Sequence, residues 1–365
     1  MPREIQAALS PGPGQPWRIE TLILDDPGPH EVILQVMAAS ICHTDLGIAD
    51  FLSGKHVFGH EGAGVVVEVG SAVEGLKPGD RVVATFGSCG TCPNCLRNTP
   101  AYCYDHLAIN LEGKRLDSDS PTLCLPSGEA VGGAFFQQSC FADHAIATDR
   151  NVVKIPDWLD FSVAAPLGCG IQTGAGAVMN CLNAQAARPI AVFGVGAVGL
   201  SAVMAAAILG CAPIIAVDIR PERLALAREL GAHHVIDARS DPSGEIRRHA
   251  PGGCSYSLDT AGLQSTFEAA LEVLHPGGAC GVVTTPGAWG DPVPHPGGAR
   301  FVSTHLIGVI EGNSVPDTFI PDLIEHHRSG RLPYDRLLTR YPFHDLNRAL
   351  KDARSGAAIK PVLEF

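Results

Sequence analysis

The chain has no cluster of basic residues, and its 26 Lys and Arg stand against 38 Asp and Glu for a net charge of -12. Nothing is therefore available to neutralise a row of phosphates, which excludes nucleic acid and an anionic membrane surface as principal partners. The N-terminal stretch MPREIQAALSPGPGQPW lacks the apolar run of a secretory leader, so the twelve cysteines are expected to stay reduced in a cytoplasmic protein. Tandem repeats and low-complexity tracts are absent as well. A single long apolar stretch, residues 190–217, is broken by three glycines and by Pro213 and ends at Asp218. That reads as a buried strand, a helix and a second buried strand rather than a membrane span.

With 365 residues and 45% apolar content, the chain suits two domains with a core each. The first 160 residues are rich in Val, Gly and Pro, and the runs 31–38, 64–69 and 80–85 read as strands. Further on, apolar strands alternate with helical stretches at 190–193, 197–209, 214–218, 222–230 and 234–236, the pattern of a parallel sheet covered on both faces. A helix is predicted around 319–329, and residues 360–365 read as a strand returning to the first domain. The predicted architecture is α/β: a β-rich domain over 1–170 and 311–365, interrupted by a doubly wound domain over 171–310.

Cys89, Cys92, Cys95 and Cys103 fall within fifteen residues, close enough to converge on one tetrahedral zinc without long-range folding. Such a closed site, in a lobe over about 88–104, is structural; the bland alternative is a chance group of core or disulfide cysteines. Cys42, His60 and the distant Cys169 make a second donor set. Three protein ligands leave a fourth position open, as a catalytic zinc requires. Cys169 stands at the entry to the second domain, which puts the expected metal in a cleft beside a bound cofactor.

Gly194, Gly196 and Gly199 follow the strand 190–193 and open a helix. Their separate tasks are a tight turn, close approach of pyrophosphate to the backbone, and close helix–strand packing. Asp218 ends the next strand, 19 residues beyond the last glycine, where a carboxylate accepts from ribose hydroxyls and repels a 2′-phosphate. NAD is therefore expected over NADP. Arg220 and Arg223 either offset that repulsion or are solvated helix-start residues.

Taken together, Cys42-His43-Thr44-Asp45, Gly59-His60-Glu61, the four-cysteine lobe, Gly168-Cys169-Gly170, the glycine loop with Asp218, and Ile359-Lys360-Pro361 resemble the zinc-dependent alcohol dehydrogenases of the medium-chain dehydrogenase/reductase superfamily. The stretches ICHTDL, PLGCGIQTGAGAV and EGNSVPDTFIP resemble the aryl (benzyl) alcohol dehydrogenase branch in particular. The resemblance implies a GroES-like catalytic domain with an inserted Rossmann domain, two zinc ions per chain, NAD, and a homodimer or homotetramer to which 281–285 and 302–310 contribute. It also implies roles: Glu61 behind the catalytic zinc, Asp45 orienting His60, Thr44 accepting the alcohol proton, His43 and Lys360 at the pyrophosphate, and Thr173 and Val198 near the nicotinamide; Arg223, close to Asp218 in sequence, is counted with the cofactor-binding residues. Phe86, Phe135, Phe136 and Ile310 fall where such enzymes line the substrate pocket, although ordinary core packing explains apolar residues equally well.

The chain departs from that pattern in four places. Gly47 occupies the position, five beyond Cys42, where several relatives carry a proton-relay histidine, so a route from Thr44 through ribose hydroxyls is expected. The 47–58 segment is shorter than the resemblance leads us to expect, which clips one pocket wall. Gln137-Gln138 stands in place of a smaller Gly-containing sequence, and Glu311 follows Ile310; polar specificity and surface exposure account for these equally well. The implied reaction is hydride transfer between NAD and primary aromatic or allylic alcohols. Alternatives are the same chemistry on a terpenoid alcohol, a thiol adduct of formaldehyde or a pathway-specific intermediate, and a non-catalytic protein that keeps the fold.

Overall fold

The computed structural model describes residues 2–118, 120–284 and 303–365. They form two compact units: Met1–Cys169 with Val315–Asp322 and Asp335–Phe365, and Gly170–Ser314 with Leu323–Tyr334. The second boundary lies later than the 310/311 expected from sequence. In addition, the helix Pro316–Arg328 is divided between the units, because its later apolar side chains Leu323 and Ile324, with Leu332 and Tyr334 beyond, are buried in the second.

The first unit is built on two sheets. In the larger, the strands run Val152–Lys154, Arg81–Ala84, Gly62–Val69, Glu31–Ser40, Lys360–Glu364, Leu338–Pro342, with His144–Thr148 also pairing Glu31–Ser40. Most of Glu31–Ser40 is buried, which is why it reads as a nearly unbroken apolar run rather than an alternating one. Gly64 is required opposite it, because a Cβ there would lie 2.0 Å from the Gln35 carbonyl oxygen. The ends of these strands position the chemistry: Glu31–Ser40 stops two residues before Cys42, Gly62–Val69 starts just after His60-Glu61, and Arg81–Ala84 leads to Phe86.

The second unit holds a six-stranded, wholly parallel sheet in the order His234–Asp237, Ile214–Asp218, Ile190–Phe193, Cys254–Asp259, Leu274–Val282, His305–Gly308. Numbered along the chain this is 3-2-1-4-5-6, with the order reversing beside Ile190–Phe193, where a dinucleotide binds in such folds. The apolar stretch 190–217 resolves into the strand Ile190–Phe193, the helix Ala197–Ile208 and the start of Ile214–Asp218. That helix is buried from Gly199 through Ala206, so it is apolar on nearly every face. No helix among the described residues is long and apolar enough to cross a membrane.

Candidate active site

Cys42, His60, Glu61 and Cys169 bring one donor atom each to within 4.8 Å of one another, although they come from three separate stretches of chain. Cys42 caps the helix His43–Ala49, and its backbone N–H donates to Asp45 Oδ2 at 2.9 Å. The other oxygen, Oδ1, accepts from the Gly59 N–H at 3.0 Å and meets His60 Nδ1 at 2.8 Å. Asp45 is fully buried and thus fixes at once the helix start, the Gly59 turn and the plane of the imidazole. The chain before Cys169 is pressed onto the same sheet: Thr85 Oγ1 donates to the Gly168 carbonyl at 2.7 Å, and a Cβ on Gly168 would strike the Ala84 oxygen at 2.3 Å.

The donor chemistry fits a metal ion. With Nδ1 taken by Asp45, the buried Nε2 of His60 has no hydrogen-bond partner, an arrangement that is costly unless a cation sits there. Cys169, then the charge of His60, hold the Cys42 thiol well below its ordinary range against the opposing effect of burial. Burial penalises a charged His60, yet Asp45 and Cys42 outweigh it and raise the ring well above its usual value; a metal ion bound at Nε2 would take the place of the proton.

Behind the donors lies a second buried charge system. Glu61 accepts from Ser40 Oγ and from Lys360 Nζ, the latter at 2.6 Å, and Lys360 also reaches the Ile41 carbonyl at 3.3 Å. Burial raises Glu61 above the usual carboxylate range even with Lys360 pulling the other way. Lys360, expected at a pyrophosphate, is 2% exposed and engaged with Glu61. The reason is the register of its strand, which pairs Val362 with Ser40. His43 is exposed, and Thr44 Oγ1 lies 3.7 Å from the Cys42 sulfur.

Aromatic rings cover one side of the imidazole. Phe136 stacks on His60 at 4.4 Å between ring centres, Phe135 meets it edge-on at 5.6 Å, and Phe86 lies 6.2 Å from His106. Ile310 is half-buried in the second unit. Sequence reasoning passed over His106, whose ring lies 6.5 Å from Phe136 and whose basicity burial depresses to about 4. It singled out Gln138 but not its contacts: the amide donates to the His60 and Thr85 carbonyls, both at 2.9 Å. Neither has a spacing signal, since each acts across long sequence distances. Surface exposure does not explain Gln137, Gln138 or Glu311: all three are buried.

Cys89, Cys92, Cys95 and Cys103 also converge within 4.8 Å. Backbone N–H groups of Cys92 and Cys89 point at the sulfurs of Cys89 and Cys103, at 3.3 and 3.4 Å, a turn geometry that Gly90 permits with φ of 73°. In the second unit, a Cβ on Gly199 would lie 1.9 Å from the Gly194 oxygen, whereas one on Gly196 would meet only Arg223 Nη1, at 3.8 Å. The helix Ala197–Ile208 starts with no side-chain cap, so its first N–H groups face an open cradle suited to a pyrophosphate. Asp218 is buried and accepts from the N–H groups of Val195 at 2.8 Å and Arg220 at 2.9 Å, with lone pairs left for a ribose. Thr173 Oγ1 donates to Glu311 at 3.4 Å, and Val198 packs its carbonyl against Gly174.

A catalytic-type Cys2His donor set in a β-rich unit, followed by a glycine-loop parallel sheet, defines a zinc-binding dehydrogenase. Sequence models agree: residues 28–157 match the alcohol dehydrogenase GroES-like domain, and residues 197–325 match the zinc-binding dehydrogenase domain. The chain is 40% identical to the geraniol dehydrogenase of Castellaniella defragrans over 99% of its own length and 97% of that protein. Among solved structures, a zinc-binding domain alcohol dehydrogenase from Burkholderia ambifaria superposes with a TM-score of 0.96 at 42% identity, covering both chains completely. The benzyl alcohol dehydrogenase of Acinetobacter calcoaceticus superposes with 0.94 at 35% identity, covering 100% of this chain and 99% of that one. The chain therefore belongs to the zinc-dependent alcohol dehydrogenases of the medium-chain superfamily, near the benzyl alcohol branch, and is an oxidoreductase.

Proposed function

We propose that the protein is a zinc- and NAD-dependent dehydrogenase that interconverts primary aromatic or allylic alcohols and their aldehydes. The observation that carries the reading is the buried, unpartnered Nε2 of His60 facing the thiols of Cys42 and Cys169. When bound at these three residues, zinc supplies Lewis acidity toward the alcohol oxygen, and NAD supplies the hydride acceptor. The chain's own contribution is positioning, proton handling and exclusion of water. Asp45 holds His60 in one tautomer and one plane, Phe135 and Phe136 keep solvent off the ring, and Thr44 takes the alcohol proton. Glu61, neutralised by Lys360, supports the donors from behind.

In the second unit, Gly194, Gly196 and Gly199 with the helix start receive the pyrophosphate; His43, assigned to the same group, belongs to the first unit. Asp218 and Arg223 receive the adenosine ribose, and Thr173 and Val198 flank the nicotinamide. Cys89, Cys92, Cys95 and Cys103 hold a second, structural zinc. Names of the relatives support an aromatic or allylic substrate, and geraniol, a terpenoid alcohol that is itself allylic, favours the terpenoid variant of the same reading. We further propose a cytoplasmic homodimer or homotetramer joined along the edge strand His305–Gly308, where Leu306 is 47% exposed. Of the stretches implicated from sequence, Thr285 and Val302 lie outside the described residues.

A turnover screen with benzyl alcohol, geraniol, ethanol and formaldehyde–thiol adducts, run with NAD and NADP in parallel, tests the reading together with zinc analysis. Two zinc ions per chain and NADH formation from the first two alcohols are expected. One zinc and no turnover of any alcohol would overturn it, and a kcat/KM favouring NADP would remove the role given to Asp218.

A further inference from the structure

The turn that carries Phe135 and Phe136 is strained. Phe136, Gln137 and Ser139 have φ of 52°, 55° and 49°, a region that side chains with a Cβ rarely adopt, and strain of this kind persists only where the surroundings impose it. The anchors of the turn itself are in place without Gln137's side chain: Asn151 Nδ2 donates to the Phe136 and Gln137 carbonyls at 3.1 and 3.3 Å, and Ser139 Oγ accepts from the Phe135 N–H at 2.9 Å. Glycine at 137 would remove the strain at that residue. The glutamine side chain must therefore serve something outside its own turn.

That partner is the segment on the far side of the aromatic wall. Gln137 Nε2 donates to the carbonyls of Ile109 at 2.7 Å and Lys114 at 2.8 Å, and the side chain is 3% exposed. Ile109 lies in the last turn of the short helix His106–Leu111, whose final carbonyls have no partner within the helix. The path is cleared by Gly87, where a Cβ would strike Gln137 Cγ at 2.6 Å and Ile109 Cγ2 at 2.9 Å. The same helix carries His106, set between Phe86 and Phe136. One amide thus joins the turn that lays Phe136 on His60 to the helix that lays His106 against Phe136.

We propose that Gln137 is a specificity-determining positioning residue: a clamp that fixes the helix His106–Leu111 as one wall of the alcohol pocket and so sets the size of alcohol accepted. The proposal rests on the reading of Phe86, Phe135 and Phe136 as pocket residues of an alcohol dehydrogenase. A clamped wall gives the pocket one side whose position does not depend on substrate. Gln137 touches no reacting atom; it acts through the wall.

The test is Gln137→Gly, which relaxes the backbone and removes both hydrogen bonds, with Gln137→Asn as the second variant. Asparagine tolerates the left-handed backbone but stops short of both carbonyls. Amide hydrogen exchange over 106–114 is read in the zinc-loaded protein, alongside kcat and KM for benzyl alcohol and ethanol. For either variant that keeps both zinc ions, exchange over 106–114 should rise about tenfold or more with the exchange of strand Glu31–Ser40 unchanged. The benzyl alcohol KM should rise so that its kcat/KM advantage over ethanol narrows by about tenfold, while kcat/KM for ethanol holds. Unchanged exchange, or an equal loss on both alcohols, overturns the clamp. If the wild type oxidises no alcohol, the proposed function fails while the exchange result still decides whether Gln137 fixes this helix.

Discussion

The two thiol clusters are of similar size and opposite construction. Cys89, Cys92, Cys95 and Cys103 come from one short stretch, and three of the four are only half-buried. Cys42, His60 and Cys169 come from three stretches joined by a sheet, and around them lie Asp45, Glu61 and Lys360, none more than 2% exposed. A local cluster needs little of the fold and stabilises its own lobe. The dispersed one exists only once the sheet has formed, so its donors are held rigidly and can leave a position for substrate. On the proposed function, the contrast is the one expected between a staple and a reaction centre.

The comparison breaks most sharply under cysteine replacement. Cys42→Ala should cut turnover by roughly a thousandfold or more, the scale of a lost Lewis acid worth several kcal/mol, with the circular dichroism melt nearly unmoved. Cys95→Ala should instead lower the melting temperature by about 5–10 °C, from a few kcal/mol of metal-coupled stability, before kcat changes. Reversal of the two outcomes would exchange the roles of the sites. Next in size is Asp45→Asn, which keeps the shape but weakens the grip on His60; about 10–100-fold faster zinc loss to a chelator is expected, confined to one of two ions.

Acid should loosen the flank of the lobe. His106 titrates at about 4 in the folded protein because burial disfavours its charged form, against 6.5 for an unperturbed ring. A group with its folded value depressed below the unfolded one contributes stability above the unfolded value and loses it as pH falls toward the folded one. The cost is up to about 2 kcal/mol between pH 7 and pH 5. His106→Gln should flatten that part of the melting-temperature profile; an unaltered slope would remove His106 as its source. The smallest effect is expected of Gly47→His. A Cβ there meets nothing within 4 Å, so stability should hold or rise by about 0.5–1 kcal/mol, and the kcat profile should gain a histidine-like ionisation if the position governs proton release.

Much of this was legible from spacing. The glycine loop, Asp218 and the alternation of strands and helices are local patterns with a fixed period, and the parallel sheet appears where they put it. The thiols were legible because few residue types bind zinc. Illegible were the supports: Ser40 and Lys360 on Glu61, Gln138 on the His60 carbonyl, and His106 between two phenylalanines. Each depends on strand register or on side-chain direction across long separations, to which neither period nor spacing speaks. Lys360 illustrates the limit: its strand was anticipated, but which way its ammonium turned followed from pairing Val362 with Ser40.

That pairing bears on how the protein is made. Glu61 and its counter-charge lie 299 residues apart, so during synthesis the carboxylate waits without compensation until the whole inserted unit has emerged. A nascent chain that has not reached Lys360 therefore lacks the charge that offsets the buried Glu61 in the finished fold. The four cysteines, by contrast, are all in the chain by residue 103 and converge without any later segment.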